Sequence, residues 1–248
     1  MKKVFGLIGN PLDHSWSPSY FQQQFQLQGL AKYSYHLFPI EKPDDLFLLL
    51  KQTPELCGLN VTIPFKETII PLLDVIDERA KEIGAVNTIL IQGSAPDQRL
   101  TGYNTDYVGF TNSADFSGHT SALILGTGGA SKAIAFALKQ MGIGYTLVSR
   151  SGAIKQVLSY DDLDEEIISK HTLIINASPM GMYPNQEDPP PIPYHLISSN
   201  HFLYDLVYNP KETLFLKNGM MQGARVQSGL CMLHLQAERA LKLFLEAG

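Results

Sequence analysis

The chain has 248 residues, a formal net charge of −5 and 17% charged residues, with a pI near 5.8. That length exceeds a typical single compact core and suits two modest domains, while 44% hydrophobic content marks a globular chain. No extended run of Lys or Arg offers nucleic acid the clustered positive charge it needs, and the longest apolar stretches, such as residues 46–50, are far too short for a membrane span.

Residues 4–8 read as a buried strand. Lys2 and Lys3 resemble the charged start of a signal peptide, but Asn10-Pro11 ends the apolar run before an h-region forms. A helix over 17–28, a strand over 32–38, a helix over 44–52 and a strand over 58–62 follow. Short helices over 66–73 and 78–83 then precede a strand over 88–92. Strands separated by helical segments imply a mainly parallel α/β sheet. Cys57 and Cys231 stand far apart in no metal-ligand or redox spacing, which fits small apolar fillers in a reducing cytoplasm and predicts no metal site.

A new unit begins near Tyr107. An apolar strand over 121–125 leads into Gly126-Thr127-Gly128-Gly129-Ala130-Ser131, a helix over 131–141 and a strand over 145–149. Further strands are expected over 172–176 and 202–207, a proline-containing loop over 183–193, and a final helix over 229–247. Strand, glycine turn, helix and strand in that order make the βαβ unit of a dinucleotide-binding fold. Glycines in such a turn let backbone N–H groups approach a pyrophosphate at a helix N-terminus. Gly126 and Gly128 fill the first two glycine places of the usual pattern, and Ser131 takes the third. The next strand ends Val148-Ser149-Arg150-Ser151 with no carboxylate for a ribose 2′-hydroxyl. Arg150 can instead pair with a 2′-phosphate through its planar fork, with help from the serine hydroxyls and Lys155, which favours NADP over NAD.

Three further segments carry groups suited to alcohol–ketone chemistry, which needs a proton donor or acceptor at the reacting oxygen. They are Val61-Thr62-Ile63-Pro64-Phe65-Lys66, Gly84-Ala85-Val86-Asn87-Thr88 and Gly102-Tyr103-Asn104-Thr105-Asp106. Taken singly, Lys66 also fits a surface lysine in a first helical turn, Asp106 an N-cap and Asn87 a turn closure.

Gly9-Asn10-Pro11-Leu12-Asp13-His14-Ser15-Trp16-Ser17-Pro18 resembles the G-x-P-x-x-H-S-x-S-P signature of the shikimate dehydrogenase family. The resemblance continues from Asn60 to Lys66, through the Asn87 and Asp106 segments, and at Asn176-Ala177-Ser178-Pro179-Met180-Gly181-Met182. It resumes at Tyr204-Asp205-Leu206-Val207-Tyr208-Asn209-Pro210 and from Gly229 to Ala237, so it spans nearly the whole chain. It implies an NADP-dependent oxidoreductase acting on a CH–OH group, which interconverts 3-dehydroshikimate and shikimate in aromatic amino acid (chorismate) biosynthesis.

By the same resemblance Ser15, Ser17 and Tyr208 hold the substrate carboxylate, while Thr62, Asn87 and Gln236 bond the ring hydroxyls. Lys66 and Asp106 form the catalytic pair. Gly126, Gly128, Gly129 and Ala130 match the cofactor turn and Arg150 the arginine for the 2′-phosphate, while Ser149, Ser151 and Lys155 are cofactor candidates on their own chemistry. Gly229 and Met232 fall near the nicotinamide, and Leu206 and Glu78 are also assigned to the cofactor. His14 is expected to brace its loop and Trp16 to pack. NADP-using relatives commonly read Asn-Arg-Thr where this chain has Ser149-Arg150-Ser151.

The expected architecture is α/β. A mainly parallel substrate domain, residues 1–105, is completed by the C-terminal helix 229–248, and a Rossmann-type NADP-binding domain spans 106–228, with the active site in the cleft between them. The expected partner is a small-molecule substrate, shikimate or 3-dehydroshikimate, for a cytoplasmic monomer or homodimer that binds neither nucleic acid nor membrane. The competing readings are a quinate/shikimate dehydrogenase using NAD and a non-catalytic dinucleotide sensor. Retention of Lys66 and Asp106 argues against the sensor, and the Ser15/Ser17 pair argues against a tetrahydrofolate-type dehydrogenase.

Overall fold

The computed structural model describes residues 2–13, 15–93, 97–150 and 157–246. The chain divides into two compact units, Met1–Thr105 with Gln236–Gly248, and Asp106–Leu235. Among the described residues no helix is long and apolar enough to cross a membrane.

The first unit contains β1 (Lys3–Gly9), α1 (Ser17–Leu27), β2 (Tyr33–Pro39), α2 (Asp45–Gln52), β3 (Leu56–Val61), β4 (Val75–Ile76), α3 (Glu78–Ile83), β5 (Thr88–Gln92) and β6 (Arg99–Tyr103). Its six strands run in the order β2-β1-β3-β5-β6-β4. β1 is parallel to β2 and β3, and β4 to β6, whereas β5 is antiparallel to both its neighbours. The short strands β4 and β6 carry too little periodicity to stand out in sequence. The helix expected over 66–73 is instead a series of turns ending in one 3-10 turn, Ile70–Leu72. Pro71 explains the difference, because proline lacks the N–H that an α-helix interior needs. α3 keeps its expected bounds because Asp77 caps it, accepting from Arg79 N at 3.1 Å and Ala80 N at 3.3 Å, a contribution of about 1 kcal/mol.

The second unit contains α4 (Asp106–Thr111), β7 (Ser121–Leu125), α5 (Gly129–Gln140), β8 (Gly144–Val148), β9 (Val157–Leu158), α6 (Glu165–Lys170), β10 (Leu173–Asn176), β11 (Phe202–Asp205), α7 (Leu214–Met221) and β12 (Arg225–Ser228). All six strands are parallel, in the order β12-β11-β10-β7-β8-β9. β10 and β11 are buried at every position, as expected of parallel strands covered on both faces. The chain fills one side of β7 with β8 and β9, then returns to the other side with β10, so the switch point lies between β7 and β10. Ligands of open parallel sheets bind outside the carboxyl ends of the strands at such a point.

The last helix, α8, spans Leu230–Glu246 and its residues divide between the units at Gln236. Ala237, Ala240, Leu241 and Phe244 recur at three- and four-residue spacing and join the first unit's core with Phe5, Phe21 and Tyr35, as one apolar stripe of a helix should. Met232 instead joins the second unit's core. Cys57 is half-buried, but Cys231 is exposed and so is no core filler.

Candidate active site

In the first unit the backbone of Asn87 is fixed on both sides. Its N–H donates to Tyr103 O at 3.0 Å and its carbonyl accepts from Val61 N at 2.8 Å. Its side chain is 3% exposed and saturated with partners. Oδ1 accepts from Thr105 N at 2.7 Å and Thr88 Oγ1 at 3.1 Å, with Thr105 Oγ1 3.2 Å away. Nδ2 donates to Thr105 Oγ1 at 2.9 Å and to Gln236 Oε1, on α8, at 3.5 Å. Thr105 Oγ1 also reaches Gln236 Oε1 at 3.3 Å. Two residues assigned to ring hydroxyls, 149 positions apart, are therefore joined directly.

The same web extends inward. Asn60 Nδ2 donates to Thr88 Oγ1 at 3.1 Å and Asn87 O at 3.4 Å, and Asn60 Oδ1 accepts from the Tyr35 hydroxyl at 2.8 Å. The Tyr35 phenol also hydrogen-bonds the Ser17 side chain, and burial holds it well above its ordinary pKa. Ser17 opens α1, its N–H donating to Ser15 Oγ at 3.3 Å. Ser15 and Ser17 are half-buried, as are Thr62 just after β3 and Lys66 in the following turn. The Lys66 carbonyl accepts from Val86 N at 2.7 Å, which ties the lysine's backbone to the segment before Asn87. Trp16 stacks on Tyr20 at 4.6 Å and packs against the core. Glu78 is exposed in the first turn of α3. His14, Ser151 and Lys155 lie outside the described residues.

In the second unit β7 ends at Leu125 and the chain turns at Gly126, whose φ is +119°. That backbone is closed to ordinary side chains, and a Cβ there would also stand 3.1 Å from Ala177 O and 3.2 Å from Ser131 Oγ. A Cβ on Gly128 would meet nothing within 4 Å, so open space lies before the N-terminus of α5. The first N–H groups of a helix lack intrahelical acceptors and favour an anion. Ser131 fills the place of the third glycine, and its hydroxyl is buried with no hydrogen-bond partner. Arg150 is exposed at the end of β8, after a buried Ser149. These features fit the pyrophosphate and 2′-phosphate of NADP.

Near the ends of β11 and β12, Gly229 has no room for a side chain, because a Cβ would lie 2.3 Å from Leu206 O. Leu206 and Met232 both pack in the core beside it, so the structure brings these three cofactor candidates together. Tyr208 is half-buried in the loop after β11. Asp106 is the first residue of α4 and is 5% exposed.

This loop is anchored on Asp205, which is fully buried. Its Oδ1 accepts from Asn176 Nδ2 at 2.9 Å and Val207 N at 3.0 Å, and its Oδ2 from the Thr213 hydroxyl. Asn176 Nδ2 also donates to Met180 O at 3.1 Å, while its Oδ1 accepts from Ser178. Burial pushes the Asp205 carboxyl up to about 7, against the three hydrogen bonds that pull it down.

Sequence reasoning assigned no role to Tyr35, Asn60, Thr88, Thr105, Asn176, Asp205 or Thr213. One signal was present: Asn60 interrupts an apolar strand and Asn176 and Asp205 end two others, and a polar group in such a strand must find a buried partner.

Residues 7–89 match the family model for the shikimate dehydrogenase substrate binding domain. The chain is 38% identical over 265 residues to the shikimate dehydrogenase (NADP(+)) of Methanosphaera stadtmanae, covering 97% of this chain and 90% of that one. The crystal structure of shikimate dehydrogenase from Aquifex aeolicus superposes with a TM-score of 0.86 at 35% identity, covering 98% and 92% of the two chains. That of shikimate 5-dehydrogenase from Thermus thermophilus, in complex with NADP(H) and shikimate, superposes with a TM-score of 0.81 at 31% identity, covering 98% and 94%. With full-length likeness added to the glycine turn and the buried amide web, the chain belongs to the shikimate dehydrogenase family.

Proposed function

We propose that this protein is an NADP-dependent shikimate dehydrogenase that reversibly reduces 3-dehydroshikimate to shikimate in aromatic amino acid biosynthesis. The observation that carries the reading is the hydrogen-bonded array that joins Asn87 to Gln236 and, through Asn60 and Tyr35, to Ser17 and Ser15. Neutral hydroxyls and amides in that number suit a small carboxylated ring bearing several hydroxyls. We assign Met1–Thr105, completed by Gln236–Gly248, as the substrate domain and Asp106–Leu235 as the cofactor domain, so the boundary expected at residue 229 moves into the last helix, whose first turns pack with the second unit.

Ser15, Ser17 and Tyr208 hold the carboxylate, and Thr62, Asn87 and Gln236 the ring hydroxyls. When bound, NADP(H) supplies or accepts the hydride. Lys66, as an ammonium, gives its proton to the carbonyl oxygen while that carbon gains the hydride, so ketone becomes alcohol. In the reverse direction its neutral amine takes the hydroxyl proton. Asp106 orients the lysine and a substrate hydroxyl. Gly126, Gly128, Gly129 and Ala130 cradle the pyrophosphate, with Arg150, Ser149, Ser151 and Lys155 at the 2′-phosphate. Leu206, Gly229 and Met232 line the nicotinamide, and Glu78 is assigned to the cofactor's surroundings. We place the enzyme in the cytoplasm as a monomer or homodimer, free of nucleic acid and membrane.

The test is to mix purified protein with shikimate and NADP⁺ and follow nicotinamide absorbance, alongside quinate and NAD⁺. The expected result is turnover of shikimate with a preference for NADP⁺ of at least about tenfold, since Arg150 offers a charge-assisted bond. No turnover of shikimate with either cofactor would overturn the reading. Equal use of quinate and NAD⁺ would replace it with the quinate/shikimate alternative.

A further inference from the structure

A polar side chain that touches no ligand can still decide which atoms its neighbours present. The amide web of the first unit has one consistent direction, and that direction can be traced from its buried end. Asn60 has its carboxamide against the carbonyl of Asn87 and the hydroxyl of Thr88. A carbonyl only accepts, so the group facing it is the Asn60 NH₂. Its oxygen therefore faces Tyr35, 2.8 Å away, and the Tyr35 hydroxyl must donate. Thr88 Oγ1, already accepting from Asn60, has one hydrogen left, and it goes to Asn87 Oδ1 at 3.1 Å. Thr105 N, which can only donate, reaches the same oxygen at 2.7 Å. With Oδ1 filled, Asn87 turns its N–H donors toward Thr105 Oγ1 and Gln236 Oε1.

We infer that Tyr35 is a positioning residue for the substrate site: by holding Asn60, and through it Thr88, it adds to the Thr105 N–H in keeping Asn87 with its amide nitrogen, not its oxygen, on the side of Gln236. The site then presents N–H donors to a substrate oxygen. The 3.5 Å bond from Asn87 Nδ2 to Gln236 Oε1 is the longest link in the web, and it is the one such an oxygen displaces. Tyr35 is well placed for the role. It is 1% exposed and its ring lies flat on Phe21, with centroids 4.3 Å apart and planes 1° apart. Packed in this way, its hydroxyl is held between Asn60 and Ser17.

The inference rests on the proposed shikimate reaction, so wild-type turnover of shikimate comes first. If the wild type is inactive, that reading fails; if it is active, the variants judge Tyr35 alone. Tyr35→Phe removes the oxygen and keeps the ring. We expect the KM for shikimate to rise about tenfold, from loss of the bonds to Asn60 and Ser17, with the KM for NADP⁺ unchanged within about twofold. Thr88→Val breaks the same relay one link later without touching Ser17, so a rise in its shikimate KM reports the relay itself, and it also serves if Tyr35→Phe does not fold. In the double variant the two effects should fall well short of multiplying, because both act through one chain of bonds. A simple structural role would lower active-enzyme yield and leave both KM values alone. An unchanged shikimate KM in a folded Tyr35→Phe or Thr88→Val, or independent multiplying effects, would overturn the inference.

Discussion

Each unit buries a web of polar side chains in its sheet, and the two webs differ in charge. That of the first unit runs Tyr35, Asn60, Thr88, Asn87, Thr105, Gln236 and is built from hydroxyls and amides. That of the second gathers Asn176, Val207 N and Thr213 around the carboxyl group of Asp205. Burial shifts both titratable members toward their neutral forms, Tyr35 far above its ordinary range and Asp205 up to about 7. A phenol raised further from neutrality stays protonated throughout any working pH. A carboxyl raised to about 7 changes charge within it. The first web thus keeps one pattern of donors and acceptors at any working pH, whereas the second is an anchor whose strength depends on pH.

The largest effect that should separate the two units is chemical. Lys66→Ala should lower kcat by roughly 10²–10⁴-fold, the usual contribution of a positioned proton donor, with a smaller change in KM. NADP⁺ affinity, measured by fluorescence titration, should stay put, because the glycine turn proposed to hold it, at Gly126 and Gly128, belongs to the other unit. Unchanged turnover in that variant would remove Lys66 from the reaction. Arg150→Ala should act in the opposite way. Hydrogen bonds to charged groups contribute about 1.5–3 kcal/mol, so the KM for NADP⁺ should rise about 10–100-fold while those for NAD⁺ and shikimate hold. Equal losses with both cofactors would show that Arg150 does not read the 2′-phosphate.

The contrast also explains what could be read from sequence. Local rules found α3, whose Asp77 cap lies beside it, and the turn from Leu125 through Gly128, where every constraint lies within a few residues. They overextended the helix at 66–73, where Pro71 limits the structure to turns, and they passed over β6, which is held by pairing with β5. Motif resemblance supplied Asn87 and Gln236 as separate candidates, but their junction depends on a helix returning 149 residues later. Tyr35 carried no signal at all. In sequence it is one more aromatic in a strand, and only the arrival of Asn60 from β3 gives its hydroxyl a purpose. Asp205 stood in an apolar strand, yet its charge state depends on burial that no single segment encodes.

The smallest effect, and the sharpest test of the contrast, concerns Asp205. In the unfolded chain its carboxyl titrates near 3.8, and in the folded chain near 7. Between these values the unfolded state has released the proton that the folded state keeps, so stability falls as pH rises through that window and the full penalty applies above it. The phenols of Tyr194 and Tyr204, which feel this carboxyl, are themselves raised by burial and stay neutral there. Asp205→Asn keeps the shape: its oxygen still accepts from Asn176 and Val207, and its nitrogen can donate to Thr213 Oγ1. It lacks the titration. The thermal midpoint of the variant relative to wild type should therefore shift in the variant's favour from pH 5 to pH 8, by roughly 5 °C for a chain of this size. A gap that stays constant over that range would mean that Asp205 is charged throughout, and the second web would then be as indifferent to pH as the first.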